Sequence, residues 1–242
     1  MQFSFAKEIV GVFLLGLLFT ACSTPQLVVE DVSLPTDLKI NQLQVLGTHN
    51  SYAQPVDTAV LNYIDPIFEK MMGQYFANQP ETIKAKYKEY HPNEVKMSEG
   101  LAYNHPDFEA QLNAGMRSLE IDVYHDPTGN RFNRPAAYEV LKQMGKTDLL
   151  PFDSTGLDKP GFKVLHMADI DFRTHYTTFE KALLALKDWS NAHPQHSPIF
   201  IMIEAKDSGI PVFRVRLKYC LLQSRLSVNW MKRFYLCWEG RK

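Results

Sequence analysis

Short apolar stretches alternate along the chain with longer segments in which apolar residues recur at helical spacing. An apolar period of two, or a short unbroken apolar run, predicts a strand, whereas spacing of three and four residues predicts a helix. We therefore predict strands at residues 42–48, 117–124, 161–166 and 199–204. Helices are predicted at residues 56–76, 81–90, 105–114, 136–145 and 177–192, with Pro66 breaking or kinking the first and Asn104 capping the third.

The order of these elements, in which strands alternate with long helix-containing connections, is typical of an α/β fold with parallel strands. Residues 199–204 are too apolar for a solvated face, so we expect this strand to be buried on both sides. Each predicted strand ends in polar residues, and the carboxyl ends of parallel strands form the functional edge of such folds. The polar residues at the four ends are His49, Asn50, Glu120, Asp122, His166 and Glu204.

The strand at residues 117–124 has the most informative pattern. Its apolar residues alternate with Glu120 and Asp122, which places both carboxylates on one face of the strand. Two neighbouring carboxylates inside a domain are unfavourable unless something neutralises them, and a divalent cation does so. The alternative is a surface strand whose acidic face is solvated.

The residues at the strand ends divide into an oxygen set and a histidine pair. Asn50, Glu120, Asp122 and Glu204 offer hard oxygen ligands, which suit Ca²⁺ rather than zinc. His49 and His166 are candidates for acid–base work, because histidine titrates near neutral pH. A cation and two histidines are what phosphodiester cleavage requires. Alternatively, Glu204 forms a plain surface ion pair with Lys206.

Composition places the chain among soluble globular proteins. Its 242 residues are 45% hydrophobic and 22% charged, with a net charge of −1. The charge is uneven, since residues 212–242 contain eight Lys and Arg but a single acidic residue. The three cysteines form neither a zinc pattern nor a disulfide framework.

The first 22 residues are predicted to be a targeting segment. An apolar run of 11 residues, at positions 9–19, is too short to span a bilayer and leads into Phe-Thr-Ala-Cys at 19–22. This tetrapeptide resembles the lipobox of bacterial lipoproteins, which implies cleavage and acylation at Cys22. Residues 23–38 would then tether an exported lipoprotein to the cell envelope. The alternative is an ordinary secretory peptide with an incidental Cys22.

Four motifs together resemble the bacterial calcium-dependent phosphoinositide phospholipase C-like family, over about residues 43–211. They are Leu-Gly-Thr-His-Asn-Ser-Tyr at 46–52, Arg-Ser-Leu-Glu-Ile-Asp-Val-Tyr at 117–124, Leu-His at 165–166 and Ile-Glu-Ala-Lys at 203–206. The family belongs to the phospholipase C-like phosphodiesterases, so the resemblance implies a TIM barrel. It also implies Ca²⁺ as cofactor, with ligands from Asn50, Glu120, Asp122 and Glu204.

The resemblance further implies a reaction on phosphatidylinositol-type lipids at a membrane surface, with no nucleic-acid partner. The inositol 2-hydroxyl would attack phosphorus, and diacylglycerol would leave. His49 would take a proton or stabilise the pentavalent phosphate, and His166 would protonate the departing glyceride oxygen. Two alternatives remain: a glycerophosphodiester phosphodiesterase, which usually has His-Arg-Gly where this chain has His-Asn-Ser, and a non-catalytic surface lipoprotein that binds lipid headgroups or calcium.

The C-terminal stretch predicts an incomplete barrel. A TIM barrel has eight strands, whereas four are predicted by Glu204 and 38 residues follow. We expect a partial barrel at residues 39–211 and a frameshifted or truncated tail at 212–242, with weak calcium binding and little activity. The alternative is a natural short form whose basic tail binds a partner.

Overall fold

The computed structural model describes residues 35, 37–93, 96–207 and 213. Within these ranges, helices surround a four-stranded sheet, and the sheet is partly open. The strands are β1 (Gly47–Thr48), β2 (Ser118–Asp126), β3 (Gly161–Val164) and β4 (Phe200–Lys206). The helices are α1 (Thr58–Ala77), α2 (Glu81–Tyr90), α3 (Met97–Gly100), α4 (Phe108–Asn113), α5 (Ala136–Gln143) and α6 (Phe179–Ala192), and a 3₁₀ turn covers Ile40–Gln42.

Strand β2 is the centre of the sheet. Strand β4 runs parallel to it along one edge, from the Ser118–Phe200 pair to the Tyr124–Lys206 pair. The other edge is shared, because β1 pairs in parallel with the first two residues of β2 and β3 pairs with its last four. A mixed α/β fold is thus confirmed at the level of class, and it is compatible with part of a TIM barrel.

Strand β3 corrects the prediction of an all-parallel sheet, because it is antiparallel to β2, with Val164 opposite Val123. The cause lies in β1, which ends at Thr48, where the chain turns away from the sheet. Asn50 in this turn has a φ of 49°, a left-handed conformation uncommon for a residue with a Cβ. Beyond this turn β1 no longer pairs with β2, and β3 pairs with the last four residues of β2 in the antiparallel direction.

The first strand is also shorter than the predicted 42–48. Gly47 explains how closely β1 approaches β2, since a Cβ at this position would lie 2.5 Å from the carbonyl oxygen of Ser118. A side chain at position 47 would therefore prevent this close approach of the two backbones.

The apolar face of β2 forms the main core, as its alternation predicts. Leu119, Ile121 and Val123 are fully buried and pack against residues of α4 and α6. Glu120 and Asp122 are also buried on the opposite face, so the alternative of a surface strand with a solvated acidic face is wrong. The expectation for β4 is wrong as well: Met202 is 59% exposed, and β4 pairs within the described chain with β2 alone.

The helices largely confirm the predicted segments, and their ends follow local capping. Helix α1 continues through Pro66, so the proline does not break the helix. Helix α4 begins later than predicted, because the Asp107 side chain accepts from Ala110 N and caps it in place of Asn104. Thr178 caps α6 in the same way, because its side-chain oxygen accepts from Lys181 N.

Several predictions fall on residues outside the described ranges. These are the lipidation at Cys22, the tether apart from its last few residues, and the tail at 212–242 apart from Phe213. Among the described helices, none has the length and apolar character that crossing a membrane requires.

Candidate metal centre and active site

Three carboxylates converge on the polar face of the sheet. Asp122 of β2 lies opposite Glu204 of β4 in the parallel register, and Glu120 lies on the same face of β2. One oxygen from each of the three groups lies within 4.8 Å of the others. Glu120 and Asp122 are buried, whereas the Glu204 side chain is 52% exposed, so the cluster opens toward solvent on the β4 side.

Asp122 is the anomaly in this cluster. It is fully buried, yet neither of its carboxylate oxygens accepts a hydrogen bond from the described residues. The Lys206 ammonium lies 3.2 Å from Asp122 Oδ2 and 2.7 Å from Glu204 Oε1. Burial raises the pKa of Asp122 to about 6 despite the opposing charge of Lys206, and the hydrogen bond from Lys206 lowers the pKa of Glu204. The pair is therefore more than a surface ion pair.

The turn after β1 is fastened to β2 beside these carboxylates. Asn50 N donates to Glu120 Oε2 at 2.6 Å, and Ser51 N donates to the Glu120 carbonyl oxygen at 3.1 Å. Ser51 Oγ accepts from Glu120 N at 2.9 Å. These bonds hold Asn50 in its left-handed conformation, and strained backbone of this kind is frequent at functional sites.

His49 lies at the mouth of the cluster. Its side chain is 73% exposed, and its Nε2 is 3.5 Å from Glu120 Oε2. The His49 carbonyl oxygen is 2.8 Å from Nε2 of His105, which fastens the backbone of the turn while leaving the His49 ring accessible. The ring is thus positioned beside the carboxylates and within reach of a molecule from solvent.

His166 is oriented by a buried aspartate. Its Nδ1 lies 2.8 Å from Oδ2 of Asp171, a residue that is 2% exposed. Because a carboxylate only accepts, Nδ1 carries a proton, and Nε2, on the other side of the ring, is the nitrogen that can meet a substrate. Asp171 reaches the ring through a tight turn in which Met167 N donates to the Asp171 carbonyl oxygen. The backbone of His166 is also held from β2, because the Tyr124 hydroxyl donates to the His166 carbonyl oxygen.

The position of the site differs from the one that parallel strands imply. It lies at the middle of β2, where the turn after β1 and the end of β3 approach from opposite directions. His166 reaches it because β3 is antiparallel. The structure brings all six predicted residues to this region; their roles stay predictions.

Sequence reasoning missed two residues of the site. Asp171 follows His166 by five residues, and a carboxylate in the loop after a candidate catalytic histidine was a usable signal. Tyr103 contacts Asn50, His166 and Asp171 through its hydroxyl, but it lies in an irregular segment far from all three in sequence. No local pattern marks it.

Comparison with known proteins decides the family. The model of the family described as phosphoinositide phospholipase C, Ca²⁺-dependent, matches residues 38–220, which is more than half of the chain. The chain belongs to this family. The match runs past Pro211, where the sequence predicts a domain boundary. No curated protein and no solved structure gives a significant match.

Membership of the calcium-dependent phosphoinositide phospholipase C family indicates a phospholipase C-like, Ca²⁺-dependent function at the level of the family. The residues present fit a calcium ion. The two oxygens of Asp122 are buried, and Glu120 and Glu204 offer further carboxylate oxygens within 4.8 Å. Asn50, whose backbone N–H donates to Glu120, has an amide oxygen that can add to this set. Such an all-oxygen set is the donor chemistry that calcium prefers.

Proposed function

We propose that the chain cleaves phosphatidylinositol-type phospholipids in a phospholipase C reaction at a membrane surface. The observation that carries the proposal is the convergence of three carboxylates, one of them the fully buried Asp122, in a cluster that is open to solvent and has the Lys206 ammonium 3.2 Å from Asp122. A carboxylate in this setting is suited to a cation, and the family gives the cation as calcium.

The roles of the two histidines follow from their surroundings. The inositol 2-hydroxyl attacks phosphorus, its proton passes to His49, and the bond from phosphorus to the glyceride oxygen breaks. His166 gives a proton from Nε2 to that oxygen, so diacylglycerol leaves and a cyclic inositol phosphate remains. Asp171 supports this role, because its carboxylate holds Nδ1–H and stabilises the imidazolium that acts as the acid.

Asn50, Glu120, Asp122 and Glu204 would hold the calcium ion. When bound, the ion supplies positive charge that lowers the pKa of the attacking hydroxyl and offsets the charge that develops on the phosphate. The exposed His49 ring and the open Glu204 side of the cluster leave room for a headgroup that projects from a lipid surface.

The test is hydrolysis of phosphatidylinositol in vesicles by the full chain, with calcium or with EGTA. We expect activity that requires calcium and falls about 100- to 10,000-fold in His166→Ala, the range typical of a lost general acid. His91→Ala is the matched control, since His91 follows the exposed helix α2 and contacts Tyr87.

The choice of substrate separates the proposal from its alternatives. Glycerophosphocholine is tested beside phosphatidylinositol, and preferential cleavage of the former would instead favour a glycerophosphodiester phosphodiesterase. Calcium binding without turnover of either substrate would contradict the proposal and favour a binding lipoprotein.

We propose export and lipid anchoring as part of the same function, because a phospholipid substrate is found in a membrane. The tetrapeptide ending at Cys22 supports acylation at this residue. In a bacterial host fed with labelled palmitate, the full chain should acquire the label and Cys22→Ser should not. Equal labelling of the two chains would contradict acylation at Cys22.

A further inference from the structure

The side chain of Asn50 is held at both ends by tyrosine hydroxyls. The residue is 1% exposed, and its Oδ1 accepts from the Tyr52 hydroxyl at 3.0 Å. Its Nδ2 lies 2.5 Å from the Tyr103 hydroxyl. An asparagine amide has a carbonyl end and an amino end of nearly equal size, so its hydrogen-bond partners determine which end faces the carboxylates.

The hydrogen of the Tyr103 hydroxyl settles the direction of these bonds. The hydroxyl oxygen lies 3.0 Å from Asp171 Oδ2, which accepts and cannot donate. Tyr103 therefore gives its hydrogen to Asp171, and its oxygen accepts from the Asn50 amino group. The Asn50 carbonyl oxygen is left for the opposite side, where the Tyr52 hydroxyl lies.

Asn50 as a whole lies against the carboxylates, because its backbone N–H donates to Glu120 Oε2 at 2.6 Å. The Asn50 amino group is held on the Tyr103 side, and the carbonyl oxygen faces the Tyr52 hydroxyl. The amide orientation fixed by Tyr103 thus leaves the uncharged oxygen donor, rather than the amino group, on the side away from Asp171.

The same tyrosine acts on the histidine. Asp171 Oδ2 receives both the Tyr103 hydroxyl, at 3.0 Å, and His166 Nδ1, at 2.8 Å, and the Tyr103 oxygen is itself 3.0 Å from Nδ1. The Tyr103 hydroxyl fills one acceptor position of Asp171 and closes the space beside Nδ1. The Asp171 carboxylate is the nearer of these two partners of Nδ1, and the other ring nitrogen, Nε2, is directed away from the aspartate.

We infer that Tyr103 is a positioning residue that acts on two groups at once: it fixes which end of the Asn50 amide is left for the calcium ion, and it holds the Asp171 carboxylate against His166 Nδ1. This inference deepens the proposed function and rests on it. It concerns a residue that touches neither the ion nor the substrate, and whose effect passes through one hydroxyl group.

The test is Tyr103→Phe, which keeps the ring and removes the hydroxyl. We expect calcium affinity, measured by calorimetry, to fall about tenfold, the lower end of the range for residues that orient metal ligands. We also expect the ¹⁵N resonance of His166 Nδ1 to shift, because the Asp171 carboxylate that accepts its proton loses the hydrogen bond from Tyr103. Tyr138→Phe is the matched control, because its hydroxyl also donates to a buried aspartate, Asp57, instead of Asp171.

The outcomes separate this inference from the proposed function. Wild-type calcium binding with unchanged affinity in Tyr103→Phe, or an unchanged His166 spectrum, would overturn the inference alone. Absence of calcium binding in the wild-type chain would overturn both. A Tyr103→Phe chain that no longer folds, while Tyr138→Phe does, would assign the hydroxyl to the fold and would also overturn the inference.

Discussion

Asp122 and Asp126 lie four residues apart on the same strand, and both are fully buried, yet their surroundings are opposite. The loop after β2 folds back over Asp126, whose Oδ1 accepts from Gly129 N at 2.7 Å and from Thr128 N at 3.2 Å. Its Oδ2 accepts from Arg131 N at 3.1 Å. Asp122 receives no hydrogen bond from the described residues.

The difference separates a structural carboxylate from a functional one. Buried charged groups in folded proteins are normally satisfied, because burial without partners is unfavourable by several kcal/mol. Asp126 satisfies this requirement within the chain and serves to order the loop. Asp122 has the Lys206 ammonium 3.2 Å away instead of backbone N–H groups, and burial still raises its pKa to about 6, so the fold maintains a carboxylate that is suited to a cation from outside.

The largest expected effect follows from removing the charge of Asp122. In Asp122→Asn the calcium site loses one of its three carboxylates, and we expect affinity to fall at least about 100-fold, since even residues that merely orient ligands change affinity by about 10- to 100-fold. Calorimetric titration with calcium measures this change. Unchanged affinity would count heavily against the site.

Thermal unfolding gives a second measure of the same variant. Calcium at about 100 times Kd stabilises a protein by about 2.7 kcal/mol, which EGTA should reverse. The wild-type chain should show this stabilisation, and Asp122→Asn should not. Without calcium, Asp122→Asn should be at least as stable as the wild type, because an amide removes a buried charge. A marked loss of stability without calcium would make Asp122 structural, like Asp126.

A smaller effect is expected from Asp126, and on stability rather than affinity. In Asp126→Asn one end of the side chain carries an NH₂ that meets the backbone N–H groups of the loop, so at least one charged hydrogen bond is lost. We expect the free energy of unfolding in urea to fall by about 2 kcal/mol, within the usual range for hydrogen bonds to charged groups. Calcium affinity should stay unchanged. A large loss of calcium affinity in Asp126→Asn would contradict the distinction between a structural Asp126 and a functional Asp122.

The parts of the site that could be predicted from the sequence are those set by local periodicity. The alternation in β2 placed Glu120 and Asp122 on one face and three apolar residues on the other, and the structure agrees. The direction of β3 could not be predicted in this way, because it depends on where β1 ends. Strand β1 ends at a turn in which Asn50 has a left-handed conformation, and no local sequence pattern predicts this conformation.

Contacts between distant segments were the other gap. Tyr103 meets Asn50 across 53 residues and His166 across 63 residues, and its segment has no regular period. The partners of Asp126 were hidden for a different reason, since an Asp followed by Thr and Gly is typical of many exposed turns. Sequence periodicity thus showed which residues share a face, whereas hydrogen-bond partners depended on the tertiary structure.

The smallest expected effect concerns Lys206, whose ammonium partly offsets the charge of Asp122 and Glu204. Calcium competes with this ammonium for the same oxygens, so we expect Lys206→Met to bind calcium about fivefold more tightly, which corresponds to about 1 kcal/mol for a partly exposed ion pair. Lys181→Met is the matched control, because Lys181 lies near Asp153, away from the three carboxylates. Weaker binding in Lys206→Met would mean that Lys206 holds Glu204 in place for the ion, instead of competing with the ion for the oxygens of Asp122 and Glu204.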